Sequence, residues 1–269
     1  MEAAGGADLH LLVAAARAAG DLALRYHGRS IETWQKHGGS VVSEADMAVD
    51  RLLSTTLRKA RPDYGWRSEE EAEPSLPGVG NAFIVDPIDG TRDFLAGGRE
   101  WTVSLAIVQG GRPQTAVLFA PVLGELYTAE CGAGAACNGL AIRAASPAGL
   151  AGARFAGPRR FARPALEAAG VPAKSLRFVP SLAYRLALVA AGIVDVAIAG
   201  PGSHDWDLAA ADLLVHEAGA TLTDLAGRTQ DYALADDSHP ALIAASPPLS
   251  AEVRALIAGS EIRPDGKVP

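Results

Sequence analysis

The chain has 269 residues, 49% of them hydrophobic, and carries a formal net charge of −7. That is enough for one large or two ordinary domains with a sizeable core, which argues against a disordered chain. No stripe of Lys and Arg is present, which argues against a protein that coats nucleic acid, although a nucleotide substrate needs only a local pocket.

In chain order, Asp8 to Tyr26 places Leu9, Leu12, Val13, Ala16, Ala19 and Ala23 at helical spacing, with Gly28 as a stop. Ser43 suits the N-cap of a second helix through Met47, Val49, Leu52, Leu53 and Leu57, which Pro62 and Gly65 end. Strands are predicted over 82–86, 101–109, 114–120 and 125–130, with Gly110-Gly111 turning between two of them. Two helices followed by a run of strands is an α+β order. The Ala-, Gly- and Pro-rich stretch 145–160 is read as a soft boundary, giving an N-terminal domain 1–143 and a C-terminal domain 144–269. Beyond it, helices at 182–191, 207–218 and 249–258 alternate with strands at 194–199, 219–224 and 240–245, an α/β pattern. No apolar stretch reaches the roughly 18 residues that span a bilayer, and no basic segment precedes an apolar one at the start. The expectation is a soluble, cytoplasmic protein. Cys131 and Cys137 lack zinc spacing and are read as unpaired thiols.

The chemistry concentrates in Phe83-Ile84-Val85-Asp86-Pro87-Ile88-Asp89-Gly90-Thr91, an apolar run that ends in two carboxylates, a Gly and a hydroxyl. The run predicts a buried strand, and Pro87 with Gly90 predicts a turn, so Asp86 and Asp89 leave a sheet edge together. Their oxygens suit a hard cation such as Mg²⁺. The backbone N–H groups of Gly90 and Thr91 form a candidate anion nest. Asp207 falls at or just before the first turn of a helix, either as an ordinary N-cap or as an oxygen from a second segment. Glu69-Glu70-Glu71 is either a solvated face or the source of a further ligand. Asp46 is a fourth candidate, which beside Thr91 would orient the hydroxyl and a water for attack.

Asp86-Pro87-Ile88-Asp89-Gly90-Thr91 resembles the first signature of the inositol monophosphatase family of Mg²⁺-dependent, often lithium-sensitive phosphatases. Trp206-Asp207 through Glu217-Ala218-Gly219 resembles its second, and Ser43 to Asp46 and Ser68 to Glu70 its smaller acidic motifs. The resemblance runs from about Leu9 to about Asp231. It implies a layered αβαβα sandwich, commonly dimeric, with two or three Mg²⁺ per site. It assigns Glu69, Asp86 and the Ile88 carbonyl to a first metal, Asp86, Asp89 and Asp207 to a second, and a contribution from Glu69 to a third. Asp46, Thr91 and Glu69 would be the catalytic groups, with Asp46 and Thr91 activating water for in-line attack on phosphorus. Asp89, Gly90, Thr91 and Asp207 would meet the substrate. Arg185 is read either as a contact to a second phosphate or as an ordinary surface helix cation.

Within the family, Gly200 stands where many inositol phosphatases carry a Glu that contacts a ring hydroxyl. Asp89 to Phe94, Trp101 to Ala106, and Asp224 to Tyr232 look more like the bacterial bisphosphate nucleotidases. The leading expectation is therefore a 3′(2′),5′-bisphosphate nucleotidase acting on adenosine 3′,5′-bisphosphate, with inositol-1-monophosphatase or histidinol-phosphate phosphatase as alternatives. A haloacid-dehalogenase-type turn separates its two Asp residues by one residue, whereas Pro87 and Ile88 both intervene here, which favours water over a covalent aspartyl-phosphate. A catalytically inactive binding protein on the same fold would be expected to lack one of the six key side chains, and all are present. Trp34, Trp66 and Trp101 are read as packing residues, His204 as incidental, and Lys36 as balancing acidic charge.

Overall fold

The computed structural model describes residues 2–36, 41–71, 76, 80–158, 162, 166, 167, 170, 172 and 176–258. Strand alternation organises the molecule. The central strands are β4 (Asn81–Asp89), β5 (Thr102–Gln109) and β6 (Arg112–Ala120). On them Phe83, Val85, Val103, Leu105, Ile107 and Val117 face one way into a core with α1 (Glu2–Leu24) and α2 (Glu44–Ala60). The residues between them, among them Ile84, Ala106, Ala116 and Leu118, face the other way. Both faces are apolar because both are covered, which is why these strands read as continuous hydrophobic runs.

Those strands belong to a seven-stranded sheet that starts with β3 (Gly65–Ser68), parallel to β4. It continues antiparallel from β4 through β5 and β6 to β7 (Glu125–Glu130), β8 (Gly134–Cys137) and β9 (Leu140–Ala141). A second sheet of five strands combines β10 (Phe155–Ala156), β11 (Leu176–Arg177), β12 (Val196–Ala199), β14 (Thr221–Asp224) and β16 (Leu242–Ala245). Between the sheets lie α4 (Leu182–Ala190) and α5 (Asp205–Glu217). The second sheet shows the same division of labour. Val196, Ile198 and Ile243 face outward onto α6 (Pro247–Ala258), while Ala197, Ala199 and Ala244 face the middle helices. Alanines on both strands and helices let the middle layer sit close to both sheets. The result is the αβαβα sandwich expected from the sequence. Two short ribbons complete it, β1 (Thr33–Gln35) with β2 (Val41–Ser43) and β13 (Ser203–His204) with β15 (Ser238–His239).

Several boundaries differ from the expectation. The first helix begins at Glu2, and β1 to β3, β8, β9 and the short α3 (Thr91–Leu95) were not predicted. Their segments are too short or too mixed to carry a period. The predicted turn at Pro87 is instead part of β4. The pairing with β5 slips between Asp86 and Asp89, and Pro87, with no N–H to donate, sits in that bulge. The chain turns one step later, at Gly90, whose φ of +96° is open to glycine without strain.

Candidate active site

The bulge sets the site. Asp86 and Asp89 lie on either side of it, and the Ile88 N–H donates to Asp86 Oδ1 at 3.0 Å, pinning that carboxylate. Asp89 is fixed from the middle layer. Ser181 Oγ donates to its Oδ2 at 2.5 Å, Ala183 N–H to the same oxygen at 2.7 Å, and Leu182 N–H to Oδ1 at 3.3 Å. Ser181 also caps α4, accepting from Tyr184 N–H at 2.9 Å. It was not singled out from the sequence, although a Ser just before an apolar helical run is an N-cap signal.

Asp207 arrives from the first turn of α5. Its carboxylate accepts the His204 N–H at 2.7 Å, so the capping role and the site role coincide. Carboxylate oxygens of Asp86, Asp89 and Asp207 all lie within 4.8 Å of one another, and the three residues line a cavity of about 570 Å³. Glu69, Ile88, Gly90 and Thr91 line the same cavity. Glu69 follows β3, its N–H donating to Val85 O at 3.1 Å, and it stands outside the trio of Asp residues, with Oε1 paired to Lys36 Nζ at 3.2 Å. Lys36 also meets Glu70 at 2.7 Å, so it does balance the acidic run. Asp46 lies behind Thr91. The Thr91 hydroxyl is 3.2 Å from Asp46 Oδ1 and 3.1 Å from Ile88 O, and Asp46 Oδ2 receives both the N–H and the hydroxyl of its capping-box partner Ser43.

Electrostatics test whether this donor set fits cations. Burial and the neighbouring Glu69, Asp89 and Asp207 push Asp86 well above the usual carboxylate range. Burial and Asp89 do the same to Asp207. Burial pushes Asp89 up to about 6 against the pull of its three hydrogen bonds. Asp46 is raised mainly by burial. A cluster whose members resist ionising together, built only of hard oxygen donors, fits Mg²⁺ and is relieved by it.

Two sequence expectations change. Arg185 is buried, and its guanidinium donates to the backbone carbonyls of Val179 (2.6 and 3.2 Å) and Ile198 (3.2 Å), not into the cavity. An amphipathic reading of one helix could not show that both its faces are covered. Trp34 is 45% exposed and so is not a core residue, whereas Trp66 and Trp101 are buried. His204 stacks on Trp206, with ring centroids 4.6 Å apart. Phe178, missed in the sequence, lines the cavity yet is 69% exposed. Cys131 and Cys137 are free, as expected.

Comparison with known proteins agrees with this geometry. The family model described as the inositol monophosphatase family matches residues 8–260. The chain is 35% identical over 243 residues to a Nus factor SuhB of Xylella fastidiosa, covering 86% of each chain. It is 34% identical over 229 residues to an inositol-1-monophosphatase of Mesorhizobium japonicum, covering 81% of this chain and 86% of that one. Among solved structures, an IMPase of Thermotoga maritima superposes with a TM-score of 0.82 at 29% identity, covering 94% of this chain and 97% of that one. A match that runs through every segment of the cavity, from Val41 to Asp207, places the chain in the inositol monophosphatase family of Mg²⁺-dependent phosphatases.

Proposed function

We propose that this chain hydrolyses a small phosphate monoester with Asp86, Asp89, Asp207, Glu69 and the Ile88 carbonyl holding two or three Mg²⁺. The observation that carries the reading is the convergence of three carboxylates from β4 and α5 on one cavity, beside the Thr91–Asp46 pair. Bound Mg²⁺ supplies the positive charge a phosphate dianion needs at an acidic site, acidifies water and stabilises the leaving alkoxide. Asp46 accepts from Thr91, and its raised proton affinity suits it to take a proton passed through that hydroxyl. Glu69 assists the same water. Gly90 and Thr91 supply backbone amides for phosphate oxygens. Lithium inhibition, a homodimer, a cytoplasmic location and a division near residue 143 belong to the same reading.

For the alcohol, relatives named inositol-1-monophosphatase cover most of the chain, so inositol 1-phosphate is the first candidate. Adenosine 3′,5′-bisphosphate is the second. It is favoured by Gly200 in place of a hydroxyl-binding Glu and by the exposed ring of Phe178 at the cavity, which offers a stacking face to a base. Phosphate release from both compounds and from histidinol phosphate, with purified protein and Mg²⁺, ranks them. Faster turnover of the nucleotide would reverse this order. A Phe178→Ala variant should then raise KM for the nucleotide and leave that for inositol 1-phosphate unchanged. No release from any ester at millimolar Mg²⁺ would sink the enzymatic reading in favour of a binding protein.

A further inference from the structure

Arg67 and Asp205 form an ion pair at 2.5 Å, with Arg67 2% exposed and Asp205 fully buried. Neither lines the cavity. Arg67 lies two residues before Glu69, and Asp205 lies two residues before Asp207. Alternate strand residues share a face. Arg67 pairs with Ile84, which faces the middle helices, and the ladder continues through Glu69 N–H to Val85 O. Arg67 and Glu69 therefore point the same way, toward the helix whose first turn carries Asp205 and Asp207. The ion pair joins sheet and helix two residues before Glu69 on the one and two residues before Asp207 on the other.

Each partner of the pair makes further bonds. Asp205 also accepts from Ala233 N–H at 2.8 Å and meets His239 Nε2 at 2.8 Å, and His239 Nδ1 reaches Gln230 Oε1 at 3.2 Å. Arg67 donates to Leu234 O at 2.6 Å. Stability alone does not require this arrangement. Two apolar side chains of similar volume in place of a buried ion pair are often as stable or more so. Moreover, Arg67 Nε has no partner among the described residues, a buried donor left unsatisfied. The pair ties β3 to the first turn of α5, the two segments that deliver Glu69 and Asp207 to the cavity.

We propose that the Arg67–Asp205 pair is a positioning device that sets the spacing of Glu69 and Asp207 and thereby the affinity of the site for Mg²⁺. The inference rests on the reading that those two carboxylates are metal ligands. Outer groups that orient metal ligands typically change affinity by about 10- to 100-fold when removed.

The test is calorimetric Mg²⁺ binding to the purified full chain without substrate, run beside thermal unfolding in chelator. An Arg67→Leu/Asp205→Leu variant should stay folded, with a lowered midpoint because Ala233 N–H and His239 lose their partner, and should bind Mg²⁺ about tenfold more weakly at temperatures where it is fully folded. Its half-saturating Mg²⁺ for turnover should rise, with KM for the ester at saturating metal unchanged. Arg67→Lys keeps the charge but lacks the fork that reaches Asp205 and Leu234 together, and should also weaken Mg²⁺ binding while the fold is retained. Wild-type affinity in either folded variant overturns the proposal, and if the double variant fails to fold, Arg67→Lys decides it. A wild-type chain that binds no Mg²⁺ would instead overturn the ligand assignment itself.

Discussion

Asp89 shows how much preparation one side chain receives. Three donors from Ser181, Leu182 and Ala183 orient it, yet burial still raises it to about 6. An Asp89→Asn change keeps the shape and an acceptor but removes the negative charge offered to a cation. Turnover should fall by at least about 10²-fold, the usual loss when charge stabilisation in the transition state is removed. Initial rates at saturating Mg²⁺ check this, and near-normal rates would show that Asp89 is not a ligand. The same residues predict a pH effect. In the metal-free protein Asp86, Asp89 and Asp207 hold protons to higher pH than in the unfolded chain, where carboxylates titrate near 4. The folded state then binds more protons than the unfolded one, so stability falls as pH rises through the folded values, about 6 for Asp89. Thermal unfolding in chelator should therefore drop between about pH 5 and pH 8, and Mg²⁺ should raise the midpoint more at the upper end. Equal Mg²⁺ gains at both ends would contradict the repulsive cluster.

At the scale of elements, the site is made where secondary structure ends or breaks. The bulge in β4 separates Asp86 from Asp89, the cap of α2 holds Asp46, and the first turn of α5 holds Asp207. The α4 cap does double duty, since Ser181 Oγ accepts from Tyr184 N–H and donates to Asp89. Ser181→Ala should cost about 1 kcal/mol of stability, typical of a lost N-cap, seen in chemical denaturation. It should also lower turnover, because Asp89 loses its shortest hydrogen bond; a change in stability with no change in rate would separate the cap from the site. The α2 cap was readable in advance because Ser43 precedes a clear apolar period, whereas the Ser181 cap was not singled out. The bulge was not, because Pro87 reads as a turn residue and only its pairing with β5 shows that the strand continues.

Across the whole molecule, the middle helices connect two sheets that share no strand. Leu214 on α5 is fully buried in the core that both sheets contact. Leu214→Ala should destabilise the protein by about 2–5 kcal/mol, lowering the denaturation midpoint of the entire chain in one transition. A variant that loses only the C-terminal sheet, with the site and Mg²⁺ binding intact, would show that the two layers fold separately. No helix among the described residues is long and apolar enough to cross a membrane.

The sequence by itself determined the family, the oxygen-rich character of the site and the acidic segments that meet there, but not Ser181 or Phe178. What it determined depends on residue identity and short spacing, which Asp86 to Thr91 carries within six positions. It also determined the central strands and helices, whose apolar periods are long enough to read. Only the tertiary structure decided that Arg185 is spent on backbone carbonyls, that Ser181 reaches across 92 positions to Asp89, and that Arg67 meets Asp205 across 138. Those facts depend on which surfaces the layers bring together, and nothing local in the chain encodes the distance between residues that far apart.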